Sequence, residues 1–181
     1  VECGAADPEK TQGLVNAHRG ARVVVLTANS RREQEFLQQA RKTGADIPVV
    51  PISVDPRGDA AAHIALGRAL AGLREEGVLV IGSGGFVHNL GELDWRHADA
   101  PMTPWADEFA HWMRGKLETH DLEALLDWHA RAPHARRAHP TVEHLMPLFV
   151  ALGAGGDAPS VRTLHRSHEF GSLALDAFAF D

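Results

Sequence analysis

The chain has 181 residues, 44% of them hydrophobic and 23% charged, which suits one globular domain with a core large enough to fold alone. Its formal net charge of −6 argues against nucleic acid or an anionic membrane as a partner, because both call for a basic face. No apolar run approaches the ~20 residues of a membrane span, Val1-Glu2-Cys3-Gly4 lacks a basic-then-apolar signal pattern, and the lone Cys3 cannot form an intrachain disulfide, so the expected location is cytoplasmic.

In chain order, residues 1–20 carry Gly4, Gly13 and Gly20 without apolar periodicity and read as a loosely attached beginning. Residues 22–27 form the first expected strand. Residues 31–43 are rich in helix formers, with Ser30 as N-cap and Gly44 as the stop. Residues 47–53 read as a second strand, and Pro48 and Pro51 place it near an edge because each removes a ladder donor. Asp55-Pro56-Arg57-Gly58 is a turn. From Asp59, an expected N-cap, the period becomes helical, with His63, Leu66, Leu70 and Leu73 on one face. His63 there reads as packed or capping rather than as a ligand.

Val78 to Ile81 is an unbroken apolar run of the kind a strand buried on both faces requires, and it reads as the centre of a sheet. The order strand, helix, strand from residue 47 to 81 matches a parallel crossover. Gly82, Ser83, Gly84 and Gly85 then let the backbone turn and approach another group closely. His88 and Asn89 follow, beyond the carboxyl end of a strand, where open α/β sheets bind ligands. The glycine spacing is not a dinucleotide fingerprint. Taken alone, His88 could equally cap a turn, and twelve histidines in the chain lower the weight of any single one.

Residues 105–117 and 121–130 read as two amphipathic helices whose Trp105, Trp112 and Trp128 belong to the core or a cleft wall, with His111, His120 and His129 solvated. A polar loop leads to His139-Pro140-Thr141-Val142-Glu143-His144. Thr141 is the expected N-cap there, His144 falls in the first turn, and Pro147 disturbs the backbone. Residues 161–165 and 171–178 close the chain as two strands, with no internal repeat and no second-domain boundary. The expected fold is therefore a single α/β domain over 1–181, with a mostly parallel central sheet and helices on both faces.

Several motifs in order then resemble the class III extradiol ring-cleavage dioxygenases, in their DOPA 4,5-dioxygenase-like branch. They are Gly82-Ser83-Gly84-Gly85-Phe86-Val87-His88-Asn89-Leu90, Leu93-Asp94-Trp95, Pro104-Trp105, Pro140-Thr141-Val142-Glu143-His144 with Pro147-Leu148, and Gly171-Ser172-Leu173-Ala174-Leu175-Asp176. The resemblance runs over residues 45–181, while 1–44 diverge.

The resemblance implies a non-haem Fe(II) enzyme, with zinc common in isolated material, that opens a catecholic ring next to its hydroxyl pair using O₂. The chemistry asks for a few ligands on one face of a metal, open positions for a chelating diol and oxygen, and a neutral imidazole to accept and return a phenolic proton. Carried over by position, His88 matches a histidine at the metal centre with acid/base work, and His144 matches a metal ligand. Asn89 and Trp95 are the expected substrate contacts. The implied partners are a small aromatic diol and O₂, with a homo-oligomer left open. Core packing is the competing reading for Trp95 and Trp105.

Three family features have no counterpart. No His-Gly-Ser-Pro segment is present, Asn29 stands where an early strand would supply a ligand histidine, and the Asp-His-Gly segment before Ala45-Asp46-Ile47-Pro48 is missing. His18 and His139 are the first candidates to fill the vacant place. The alternative function is a non-catalytic, truncated or degenerate family member acting as a structural or interaction subunit. An unrelated small metallohydrolase is a third and more distant reading.

Overall fold

Strand β1, Arg22–Thr27, runs parallel to two others, pairing Val24 with Val50 of β2 (Val49–Ser53) and with Val80 of β3 (Val78–Ser83). The computed structural model describes residues 22–27 as backbone and residues 49–181. The expected loose beginning, the helix over 31–43, Asn29 and His18 lie outside the described residues. Among the described strands β2 lies at an edge, which suits Pro51, and β1 stands between β2 and β3. Burial of β3 comes from what covers its faces, the helix Met146–Ala154 above all. Two further sheets are two-stranded and antiparallel.

Helix α1, Ala60–Leu70, starts where Asp59 accepts the amide of Ala62 at 2.8 Å. His63 donates from Nδ1 to the Asp59 carbonyl at 2.7 Å and is buried, so it is a packed residue. The buried face of α1 is Ala60, His63, Ile64 and Gly67, displaced from the leucine stripe that the spacing suggests. The cause is close backbone contact with α6, Met146–Ala154: a Cβ on Gly67 would stand 2.0 Å from the Val150 carbonyl, and one on Gly153 would stand 2.2 Å from that of Ile64. Leu66, Leu70 and Leu73 pack at the margin of the core.

All nine residues of α6 are buried. The helix begins at Met146, later than Thr141 suggests, because Pro147 has no amide hydrogen to give and is favoured in the first turn. Thr141 does not cap it; its hydroxyl donates to Glu143 at 2.9 Å. His144 therefore precedes the helix.

α2, Pro104–Glu118, buries Trp105, Ala106, Phe109, Ala110, Met113 and Leu117 on one face, as its periodicity predicts. The helix expected over 121–130 is two: α3, Leu122–Leu126, and α4, Trp128–Arg131, with a break at Asp127, a residue poor in helix interiors. The segment read as polar loop contains a short helix, α5, Ala135–Ala138, whose terminal alanines are buried. The strand expected over 171–178 also divides. β4, Val161–His165, pairs with β7, Ala177–Phe180, while β5, His168–Glu169, pairs with β6, Leu173–Ala174. Between them Asp176 turns inward to Arg114 at 2.8 Å. The described helices and strands pack on one core, and none of the described helices is long and apolar enough to cross a membrane.

Candidate functional site

The turn after β3 is built by close approach of backbones. The amide of Gly85 donates to the His144 carbonyl at 2.9 Å. A Cβ on Gly84 would lie 2.1 Å from that same oxygen, and one on Gly82 would lie 2.2 Å from the Pro147 carbonyl. Glycine is what lets the turn dock there. The chain then continues through the buried Phe86 and Val87, and the amide of His88 donates to the Ala138 carbonyl at 3.0 Å.

This docking brings together two histidines 56 positions apart in sequence. The rings of His88 and His144 stack with centroids 3.7 Å apart and planes inclined by 24°. Both side chains are half-buried, neither sealed in the core nor loose in solvent. A cavity of about 10 Å³ is lined by Gly82, Gly85, Phe86, His144, Leu148 and Asp176, room for about one water and too little for an aromatic ring. Burial pushes the Asp176 carboxyl up, against the opposing pull of the Arg114 guanidinium.

The sequence signature of the family described as the catalytic LigB subunit of aromatic ring-opening dioxygenase matches residues 35–175, a span that includes both histidines and the glycine turn. The chain belongs to this family. Among its relatives, the 4,5-DOPA dioxygenase extradiol of Portulaca grandiflora is 42% identical over 137 residues, covering 75% of this chain and 50% of that protein. The 4,5-DOPA dioxygenase extradiol of Escherichia coli (strain K12) is 36% identical over 137 residues, covering 72% and 49%. The dioxygenase tasH of Hapsidospora irregularis is 31% identical over 129 residues, covering 65% and 40%. The chain thus spans about half the length of the curated relatives it matches. A crystal structure of an uncharacterized protein from Escherichia coli K12 superposes with a TM-score of 0.73 over 94% of this chain and 91% of that one, at 24% identity, which establishes the shared fold.

For a metal of the kind a LigB-family dioxygenase uses, the stacked imidazoles supply two donors of suitable chemistry. Among the described residues no group of three or more His, Cys, Asp and Glu side chains converges as a metal site. His139, a candidate for the vacant position, is instead 1% exposed and turned inward, with its Nε2 donating to the Phe86 carbonyl at 3.0 Å. Its ring lies between Phe109 and Trp128, at centroid distances of 5.5 and 5.6 Å. Burial pushes its pKa down to about 3, so the ring is neutral at physiological pH.

The side chain of Asn89 is occupied on both sides. Its amide donates to the Arg137 carbonyl at 2.7 Å and its oxygen accepts from the Gly91 amide at 3.1 Å, capping the short 3₁₀ turn Leu90–Glu92. Trp95 is 63% exposed, with its ring 5.3 Å from that of Phe170. Reading the sequence alone misses Arg137. Its guanidinium holds both carboxylate oxygens of Glu92, at 3.0 and 2.8 Å, and lies 4.5 Å from the Trp105 ring. That pairing holds the Glu92 carboxyl below the usual carboxylate range. No local pattern announces such a contact, because Glu92 lies 45 residues away in sequence.

Proposed function

We propose that this chain carries part of the active site of an extradiol dioxygenase that opens a catecholic ring with O₂ at a non-haem Fe(II) centre, with zinc able to occupy the same donors in isolated material. The stacked pair His88 and His144 is the observation that supports this reading most directly, since two half-buried imidazoles on separate segments are poor scaffolding and good ligands. His144 serves as a ligand. His88 is a ligand and an acid/base group that takes a hydroxyl proton from the bound diol and returns it after ring opening. A metal held by these two imidazoles would supply Lewis-acid chemistry, lowering the pKa of the hydroxyls of a chelating diol. Among the described residues no third donor joins this pair.

In this reading Trp95 is an aromatic wall for the diol. Asn89 contacts substrate only through the loop it caps, because both ends of its amide are already bonded. The three described parallel strands are part of a mostly parallel central sheet with helices on both faces, and the protein works in the cytoplasm. Supporting the ring-opening reading are the LigB-family match over residues 35–175 and relatives named as extradiol dioxygenases.

Anaerobic titration with Fe(II), and with Co(II) as a coloured substitute, tests the proposal. The expected result is a single weak site lost in both H88A and H144A. Binding that survives both substitutions would overturn it, and no binding at all would favour a structural subunit.

A further inference from the structure

His139 takes no part in the reading above, yet its placement is costly. It is a fully buried imidazole whose Nδ1 has no hydrogen-bond partner among the described residues. An apolar side chain of similar size would fill the space between Phe109 and Trp128 without that orphan acceptor. What such a side chain would lack is the other nitrogen, the donor to the Phe86 carbonyl.

That bond acts on the segment leading to the candidate site. Residues 138 and 139 hold it at two points, the Ala138 carbonyl accepting from the His88 amide and His139 Nε2 donating to the carbonyl of Phe86, both at 3.0 Å. The Phe86 amide donates to the Ala174 carbonyl at 3.3 Å, and Val87 bridges to the same residue. The backbone entering His88 is thus fixed from both sides, and only one of these contacts comes from a side chain. We infer that His139 is a positioning residue, which sets where the His88 imidazole stands against His144 by holding the Phe86 carbonyl. This rests on the reading that His88 belongs to the active site.

The test pairs H139Q, whose terminal amide can donate to the Phe86 carbonyl, with H139M, which fills similar volume and cannot. Hydrogen exchange at the His88 amide, the nuclear Overhauser contact between the His88 and His144 rings, and Co(II) affinity are measured on the full chain. In H139M the His88 amide should exchange about tenfold faster or more, while amides of α1 keep their protection. The ring contact should weaken, and Co(II) affinity should fall roughly tenfold or more. H139Q should restore all three to within about threefold of the wild type, the rescue expected of a retained donor. Unchanged exchange and ring contact in H139M would overturn the inference, as would an H139Q no better than H139M. If H139M does not fold, H139N replaces it, since its shorter amide does not reach the Phe86 carbonyl. A wild-type chain that binds no Co(II), combined with a released His88 amide in H139M, would sink the metal reading and leave the positioning role standing.

Discussion

The Gly85 amide and the His144 carbonyl are joined by a 2.9 Å hydrogen bond that ties the loop carrying one histidine of the stacked pair to the residue that is the other. Gly84 shares that oxygen's surroundings, with room for no side chain. G84A should therefore destabilise the fold by about 2 kcal/mol, within the range for forced overpacking, and should separate the two imidazole rings. Gly115, inside α2, has open space around the same position, so G115A should stabilise by up to about 1 kcal/mol. Urea unfolding of both variants checks the contrast; equal effects would refute it.

Acid sensitivity follows from His139. Its pKa is about 3 in the fold and ~6.5 in the unfolded chain, so between these values the unfolded state binds the extra proton. Stability then rises with pH across that window and is lost as pH falls from about 6.5 toward 3, by at most about 1.4 kcal/mol per pH unit from this group. H139Q should show a shallower slope than the wild type between pH 6.5 and 4.5 when unfolding free energies are compared. Parallel slopes would mean that His139 does not carry the effect.

The buried pair Arg114 and Asp176 gives a third expectation. With side chains 13% and 2% exposed and 2.8 Å between charged atoms, removing one partner leaves the other uncompensated. R114M should cost about 3 kcal/mol, and the double variant R114M/D176L should recover most of that loss. A double variant as unstable as the single one would show that the charge itself was not the penalty.

Oxygen chemistry depends on donor number. A facial site needs three protein ligands, and the described residues bring two together. The isolated chain should show little or no oxygen uptake with DOPA or protocatechuate, even with added Fe(II). β1 ends at Thr27, in register with Ser83 at the end of β3, and Asn29 follows two residues later. N29H should strengthen Co(II) binding only if the strand ending at Thr27 points into the same cleft as His88, so unchanged affinity would place that strand end elsewhere. Vigorous formation of yellow ring-opened product by the unmodified chain would overturn the donor count.

Features with a local signature were legible in the sequence. The apolar run of β3, the glycines after it, the apolar face of α2 and the Asp59 cap each follow from a few neighbouring residues, and the structure contains them. The convergence of His88 and His144 required the order of motifs along the chain rather than any period within it. Helix α6 was legible only as a helix expected to start at Thr141; its true start and its complete burial were not, because a helix buried all round has no polar face to reveal its repeat. The displaced face of α1 has the same origin, since Gly67 contributes to packing by what it lacks. The contacts of His139 and Arg137 escaped notice for a different reason: their partners, Phe86 and Glu92, are set by tertiary contact alone.

The fully buried helix α6 also has a mechanical consequence. Its backbone lies against that of α1 at Gly67 and Gly153, so it can neither slide nor roll without driving carbonyl oxygens into neighbouring atoms. His144 sits two residues before that helix and is braced by this close-packed pair of helices. His88 hangs from a loop held by individual hydrogen bonds. The two histidines are therefore held by different means, one by the packing of backbones behind it and the other by hydrogen bonds on both sides of its loop.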